Sequence, residues 1–120
     1  MTEYDTHLDV KFKAFDRIDV RALADAATHP WYNQSLVQVN DSVVRLGVLR
    51  GEYHWHQHDD EDEFFLVLEG QLLIDVGDDV IELNPWQAAT IPRGVQHRPR
   101  APKRTVVIMM ETADVVPTGD

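Results

Sequence analysis

The chain has 120 residues, 43% of them hydrophobic and 27% charged, with no cysteine and a formal net charge of −10. That length makes one domain with a real core, and the lack of cysteine excludes disulfides, thiolate ligands and thiol nucleophiles. The acidic balance argues against nucleic acid and against an anionic membrane surface, since both require a basic face. No apolar run approaches the roughly 20 residues of a membrane span. The opening MTEYDTHLDVKFK lacks the basic-then-apolar pattern of a secretory signal. A cytoplasmic location is the expectation from these absences.

In chain order, the first element is a helix: Asp19 can cap it, Val20, Leu23, Ala24 and Ala27 fall on one face, and His29-Pro30 stops it. Trp31 and Tyr32 then read as a hydrophobic cover ahead of the first strand, with a place at a dimer contact. From Ser35 onward the character changes to short β-type runs separated by turn signals. SLVQVN is followed by Asp41-Ser42, and VVRLGVLR by Gly51-Glu52. FFLVLEGQLLIDV reads as a hairpin through Glu69-Gly70, and Gly77-Asp78-Asp79 marks a turn before VIEL. Asn84-Pro85, Pro92-Arg93-Gly94 and Arg100-Ala101-Pro102 punctuate the rest, and TVVIMME closes the set. About eight short strands at this spacing predict an all-β antiparallel sandwich or barrel. The organisation expected is an N-terminal extension (1–34), whose helix packs on a barrel (35–120). Several strands are apolar on both faces, so the outer face must be covered by the helix or by a second subunit, and a homodimer is expected.

The chemistry concentrates in GEYHWHQHDDEDEFFLVLEG, Gly51 to Gly70. On a strand, His54, His56 and His58 project to one side, with neighbouring Cα atoms roughly 6.6 Å apart. Two imidazoles at that separation can converge on one ion, each at about 2.1 Å. Glu63, at the head of the next apolar run, is the natural carboxylate ligand, and His97 can return to the same point after the Pro92-Arg93-Gly94 turn. Such a donor set suits zinc, iron, manganese, nickel or cobalt, whereas magnesium and calcium prefer all-oxygen shells. The bland alternative is a solvated polar strand beside a solvated acidic loop. It holds for Asp59, Asp60, Glu61 and Asp62, since a run of like charges cannot all enter one site. It fails for the His-x-His pair, where two same-face histidines meet a carboxylate and a distant histidine.

Elsewhere the residues speak for packing. Arg98, Arg100, Lys103 and Arg104 form a basic cluster that could draw an anionic substrate or be a solvated loop balancing the acidic run; if His97 faces inward, Arg98 and Arg100 face outward, which favours the solvated loop for those two. One of Met109 and Met110 faces the barrel interior, as does one of Phe64 and Phe65. Nothing resembles a nucleophile–base pair, a phosphate loop or a nucleotide fingerprint.

These residues resemble the cupins. The first cupin motif is matched by His56-Gln57-His58, four residues, Glu63, six residues and Gly70; the second by Pro92-Arg93-Gly94-Val95-Gln96-His97. The resemblance covers about Val43 to Glu111. It departs at Trp86, where the family commonly has glycine, and at Ala101, where it often has asparagine; neither position is expected to touch metal. The resemblance implies a double-stranded β-helix, a small jelly-roll barrel, with a short N-terminal helix. It further implies one divalent transition metal (Fe, Mn, Zn or Ni) held by His56, His58, Glu63 and His97. It moves His54 out of the ligand set to a neighbouring or pocket-lining place, with Phe65 and Met109 as further lining.

Three His and one Glu leave one or two positions open on an octahedral ion. The function expected is therefore a metal-dependent enzyme acting on a small oxygen-bearing metabolite, of oxygenase, isomerase or decarboxylase type. The alternative is a non-catalytic module that binds or senses a metal or small ligand. A purely structural metal fits less well, because structural sites normally close a four-ligand tetrahedron.

Overall fold

The structure is a computed structural model describing residues 4–115 and 117–119. Its described elements, in chain order, are β1 (Asp5–His7), α1 (Val20–Ala26), β2 (Trp31–Val39), β3 (Ser42–Glu52), β4 (Glu63–Glu69), β5 (Leu72–Val76), β6 (Asp79–Leu83), β7 (Ala88–Ile91) and β8 (Arg98–Thr112). The strands form the expected double-stranded β-helix. One layer runs β1-β2-β3-β8-β4-β7, the other pairs β6 with β5 and β5 with β8, and the sheet does not close on itself. No described helix is long and apolar enough to cross a membrane.

The helix forms where its signals put it. Asp19 is extended and its carboxylate accepts from Ala22 N at 3.0 Å, satisfying one of the orphan amides of the first turn. The apolar face of α1, with Phe12 and Ile18, packs on Leu36, Leu46, Val48 and Val106 of the sheet's outer face. Arg104 fastens the end of the helix by donating to Ala24 O. The outer apolar face is thus covered by the chain's own N-terminal segment. That segment meets the need from which a second subunit was inferred.

The inner face follows from alternation. In β3, Val43, Arg45 and Leu49 point inward while Leu46 and Val48 meet the helix side. Gly47 lies on the inner side, where a Cβ would meet Val107 at 2.8 Å and Met109 at 2.9 Å, so only glycine lets Met109 lie across it.

Four readings of the sequence need correction. FFLVLEGQLLIDV is not a hairpin. β4 and β5 pair in succession along the same long strand, Phe64 to Glu69 against Met110 to Val106 and then Leu73 to Asp75 against Arg100 to Arg98. Gly70 turns the corner between the layers with φ +89, and a Cβ there would lie 2.6 Å from Arg104 O. Thr105 Oγ1 seals the corner by accepting from Gln71 N and donating to Gln71 O, both at 3.0 Å. β8 outcompetes the hairpin because it is long enough to serve both layers.

For the same reason Arg100-Ala101-Pro102 is not a turn but lies within β8. The ladder with β3 shifts register between Leu49 and Gly51, and Pro102 sits in that irregularity, where no ladder donor is missed. Gly51-Glu52 likewise is no turn; both residues extend β3. Finally, Trp31 and Tyr32 do not precede the first strand but begin β2, opposite Leu49 and Val48, and Trp31 is core. The division expected between residues 34 and 35 therefore falls inside β2, and an edge strand, β1, pairs parallel to β2 ahead of it. The Gly77-Asp78 turn joins β5 to β6 as read, with Val76 opposite Asp79.

Candidate metal centre

The His-x-His segment is extended but lies outside the named strands, held by a single antiparallel bridge in which His56 N donates to His97 O at 3.0 Å and His97 N to His56 O at 2.8 Å. This bridge joins the two motifs directly. The alternation predicted for His54, His56 and His58 is broken by one residue. Tyr53, not His54, takes the inward position, and His54 and Trp55 both lie exposed before His56 and His58 turn in. His54 sits outside the cluster, between Tyr4 Oη at 3.0 Å and Thr118 O at 2.7 Å.

Glu63 enters from β4, opposite Ile91 of β7, and His97 comes from the residue before β8. The Pro92–Gly94 loop that delivers His97 is tied back to the first motif, with Gly94 N donating to His58 O at 2.8 Å. Asp62, one of the exposed acids, accepts from Arg93 N at 3.0 Å and so anchors that loop.

His56, His58, Glu63 and His97 are all buried, and their ligand atoms lie within 4.8 Å of one another. Glu63 Oε1 is 3.3 Å from His97 Nε2 and 3.5 Å from His58 Nε2. Each Nδ1 of the bridging pair is committed elsewhere: His56 Nδ1 donates to His54 O at 3.1 Å and His97 Nδ1 to Val95 O at 2.9 Å. A carbonyl only accepts, so these rings carry a proton on Nδ1 and turn Nε2 to the cluster. His54 thus serves the cluster through its carbonyl.

Burial, and then the neighbouring His97, pushes the His56 imidazole down to about 4. Burial works against Glu63, yet hydrogen bonds from His58 and His97 hold its carboxyl well below the usual carboxylate range. A neutral His56 and an ionised Glu63 are the protonation states that metal coordination demands of these two donors. The donor set therefore fits a divalent transition ion.

Beside Glu63 lies a pair that the sequence reading missed. Arg45 of β3 and Glu111 of β8 are buried at 2% and 4% exposure, with Arg45 Nη1 2.9 Å from Glu111 Oε1. Burial and the charge of Glu63 raise Glu111 to about 9, with Arg45 opposing, so Glu63 and Glu111 form an acid–carboxylate pair. The available signal was parity: Arg45 stands two residues from Val43, and Glu111 two from Met109, each a charge on a face otherwise apolar. Asp75 was missed too. It is buried on β5 and takes Arg100 at 2.8 Å and Arg98 at 2.9 Å. These arginines do point outward, but they answer Asp75 and Glu52 rather than the acidic run.

A cavity of about 30 Å³ opens beside His56 and Glu63, lined in part by Trp31, Phe65 and Met109. Phe65 and Met109 are among its lining residues, and His54 is not. Tyr53 adds a phenol, raised above its ordinary value by burial and stacked on Trp31 at 5.2 Å between centroids.

Residues 42–112 match the model of the cupin domain family. The uncharacterized protein YdbB of Bacillus subtilis is 45% identical over 91 residues, which cover 75% of this chain and 80% of that protein. The crystal structure of a cupin-2 domain containing protein from Shewanella frigidimarina superposes with TM-score 0.76 at 32% identity, covering 79% of this chain and 93% of that one. A cupin superfamily protein from Desulfitobacterium hafniense, at 19% identity, shares the fold with TM-score 0.69 over 88% of this chain and 99% of its own. The match of the family model across both motifs, on a β-helix that brings them together, shows that this chain belongs to the cupin family.

Proposed function

We propose that this cupin holds one divalent transition metal (Fe, Mn, Zn or Ni) through His56, His58, Glu63 and His97 and acts as a metal-dependent enzyme on a small oxygen-bearing metabolite. The observation that carries it is the buried convergence of the four donors within 4.8 Å, with His56 and Glu63 in the protonation states a cation requires. Bound there, the ion supplies Lewis acidity or, if redox-active, electron transfer toward an oxygen of the substrate. The chain's own residues supply the rest. The carbonyls of His54 and Val95 fix the rings of His56 and His97, Glu63 contributes the negative charge, and Trp31, Phe65 and Met109 keep the adjoining cavity apolar. All four donors come from one chain, so no second subunit is needed to complete the set.

Elemental analysis of untagged protein purified without chelator tests this reading. About one metal per chain is expected, with His97→Ala losing at least about 10-fold in affinity, followed by turnover in a substrate screen with the metal found. Ligand affinity without turnover would favour the binding-module alternative. Wild-type protein that retains no metal, or a His97→Ala variant that retains it equally, would remove the metal reading.

A further inference from the structure

We propose that the substrate or ligand of this site is a small hydroxy-carbonyl compound whose hydroxyl, uncharged, is hydrogen-bonded by the side chain of Asn33. This deepens the metal reading and rests on it for the position of the ligand's second oxygen. Asn33 stands on β2 opposite Gly47 and lines the same cavity as His56 and Glu63. Its Oδ1 is buried and has no hydrogen-bond partner in the protein. An amide oxygen accepts and cannot donate, so its complement is a hydroxyl or N–H hydrogen. A buried acceptor left without a donor is rare enough in native proteins to require an explanation, and a ligand hydroxyl supplies one.

Size and charge narrow the class. The cavity is small, about 30 Å³. The walls contributed by Leu49, Phe65 and Met109 offer no hydrogen bonds. No lysine or arginine lines it. The buried Arg45 is committed to Glu111 at 2.9 Å, and Arg98 and Arg100 to Asp75 at 2.9 and 2.8 Å. A phosphate or carboxylate at the Asn33 end would be buried with no cation of its own, a costly transfer. A hydroxyl there meets an acceptor, and a carbonyl oxygen at the other end faces the His–Glu group.

Three probes sharing a ketone separate these cases: hydroxyacetone, methoxyacetone, which lacks the donor, and hydroxyacetone phosphate. Each is titrated into nitrogen-15-labelled protein, zinc-loaded and metal-free, following the Asn33 side-chain amide and its neighbours. Hydroxyacetone is expected to shift Asn33 and bind roughly 10-fold more tightly than either of the others, the worth of one buried hydrogen bond. Asn33→Leu should equalise hydroxyacetone and methoxyacetone, while Asn33→Ser, which retains an acceptor, should keep part of the preference. The proposal is overturned if the phosphate or the ether binds as tightly, if the preference survives in Asn33→Leu, or if zinc binds and no probe moves Asn33. Failure of zinc to bind, with the hydroxyacetone preference intact in the metal-free protein, would instead sink the metal reading and support the role of Asn33.

Discussion

Two regions of one interior are built on opposite principles. Around the Gly70 corner, Val67, Leu72, Leu83 and Val107 are buried together without a titratable side chain among them. Each such side chain stabilises the fold by about 2 kcal/mol through removal of apolar surface from water. At the other end the same barrel buries His56, His58, Glu63, His97, Arg45 and Glu111. Those groups cost desolvation energy that their mutual hydrogen bonds only partly return. The difference teaches that the apolar end holds the fold while the polar end is a cost to it, so disturbances at the two ends should have different signatures.

The largest effect is expected at the polar end. Arg45→Met leaves Glu111 buried without the guanidinium beside it and should cost about 4 kcal/mol, the scale of a broken buried pair. Denaturant unfolding of the metal-free protein measures it, and a loss below about 1 kcal/mol would mean that the pair is dispensable.

A smaller effect comes with pH, and its sign is set by His56. Its unfolded imidazole binds a proton near 6.5, while the folded one resists until about 4. As pH falls through that window the unfolded state gains a proton that the folded state refuses, so metal-free stability should drop by about 3 kcal/mol from this group and level off below it. Glu111 acts oppositely. Folded, it keeps its proton up to about 9 against an ordinary 4.5, so stability drains as pH rises through that range. Unfolding free energies collected from pH 4 to 9 should therefore peak at mildly acidic pH; a flat profile would contradict both assignments.

The smallest effect belongs to the apolar end. Trp86 occupies φ +71 in a turn closed by Gln87 N to Asn84 O at 3.0 Å, and its side chain is 79% exposed. A bulky residue pays backbone strain there that glycine avoids. Trp86→Gly should raise stability by about 1 kcal/mol, read as an upward shift in melting temperature with metal content unchanged. A lower melting temperature would show that the indole makes a contribution of its own.

The Trp86 turn shows how local chemistry carries into structure. Its departure from the expected glycine was visible in the sequence, and the backbone still takes the conformation that glycine would. The same holds for the Asp19 cap, the Gly77-Asp78 hairpin and the spacing that joins His56, His58 and Glu63, since each depends on residues close in the chain. Through the resemblance of its second motif, His97 was legible as well. What was not legible depended on partners far apart. Nothing near Gly70 says that β4 and β5 would rather pair with β8 than with each other. Nothing near His54 says that Tyr53 would take the inward place, and nothing near Asn33 says that its amide would face the site.

The sequence by itself thus determined the all-β class, the helix and its cap, and the identity of the donor group, because period, turn chemistry and motif spacing are local properties. The tertiary structure alone decided which charges are buried together. Arg45 meets Glu111, Asp75 meets Arg98 and Arg100, and Asn33 meets the cavity only after β8 has bound both layers into one interior. The cost of burying a polar group depends on what surrounds it in space, and that is settled by packing between residues distant in the chain.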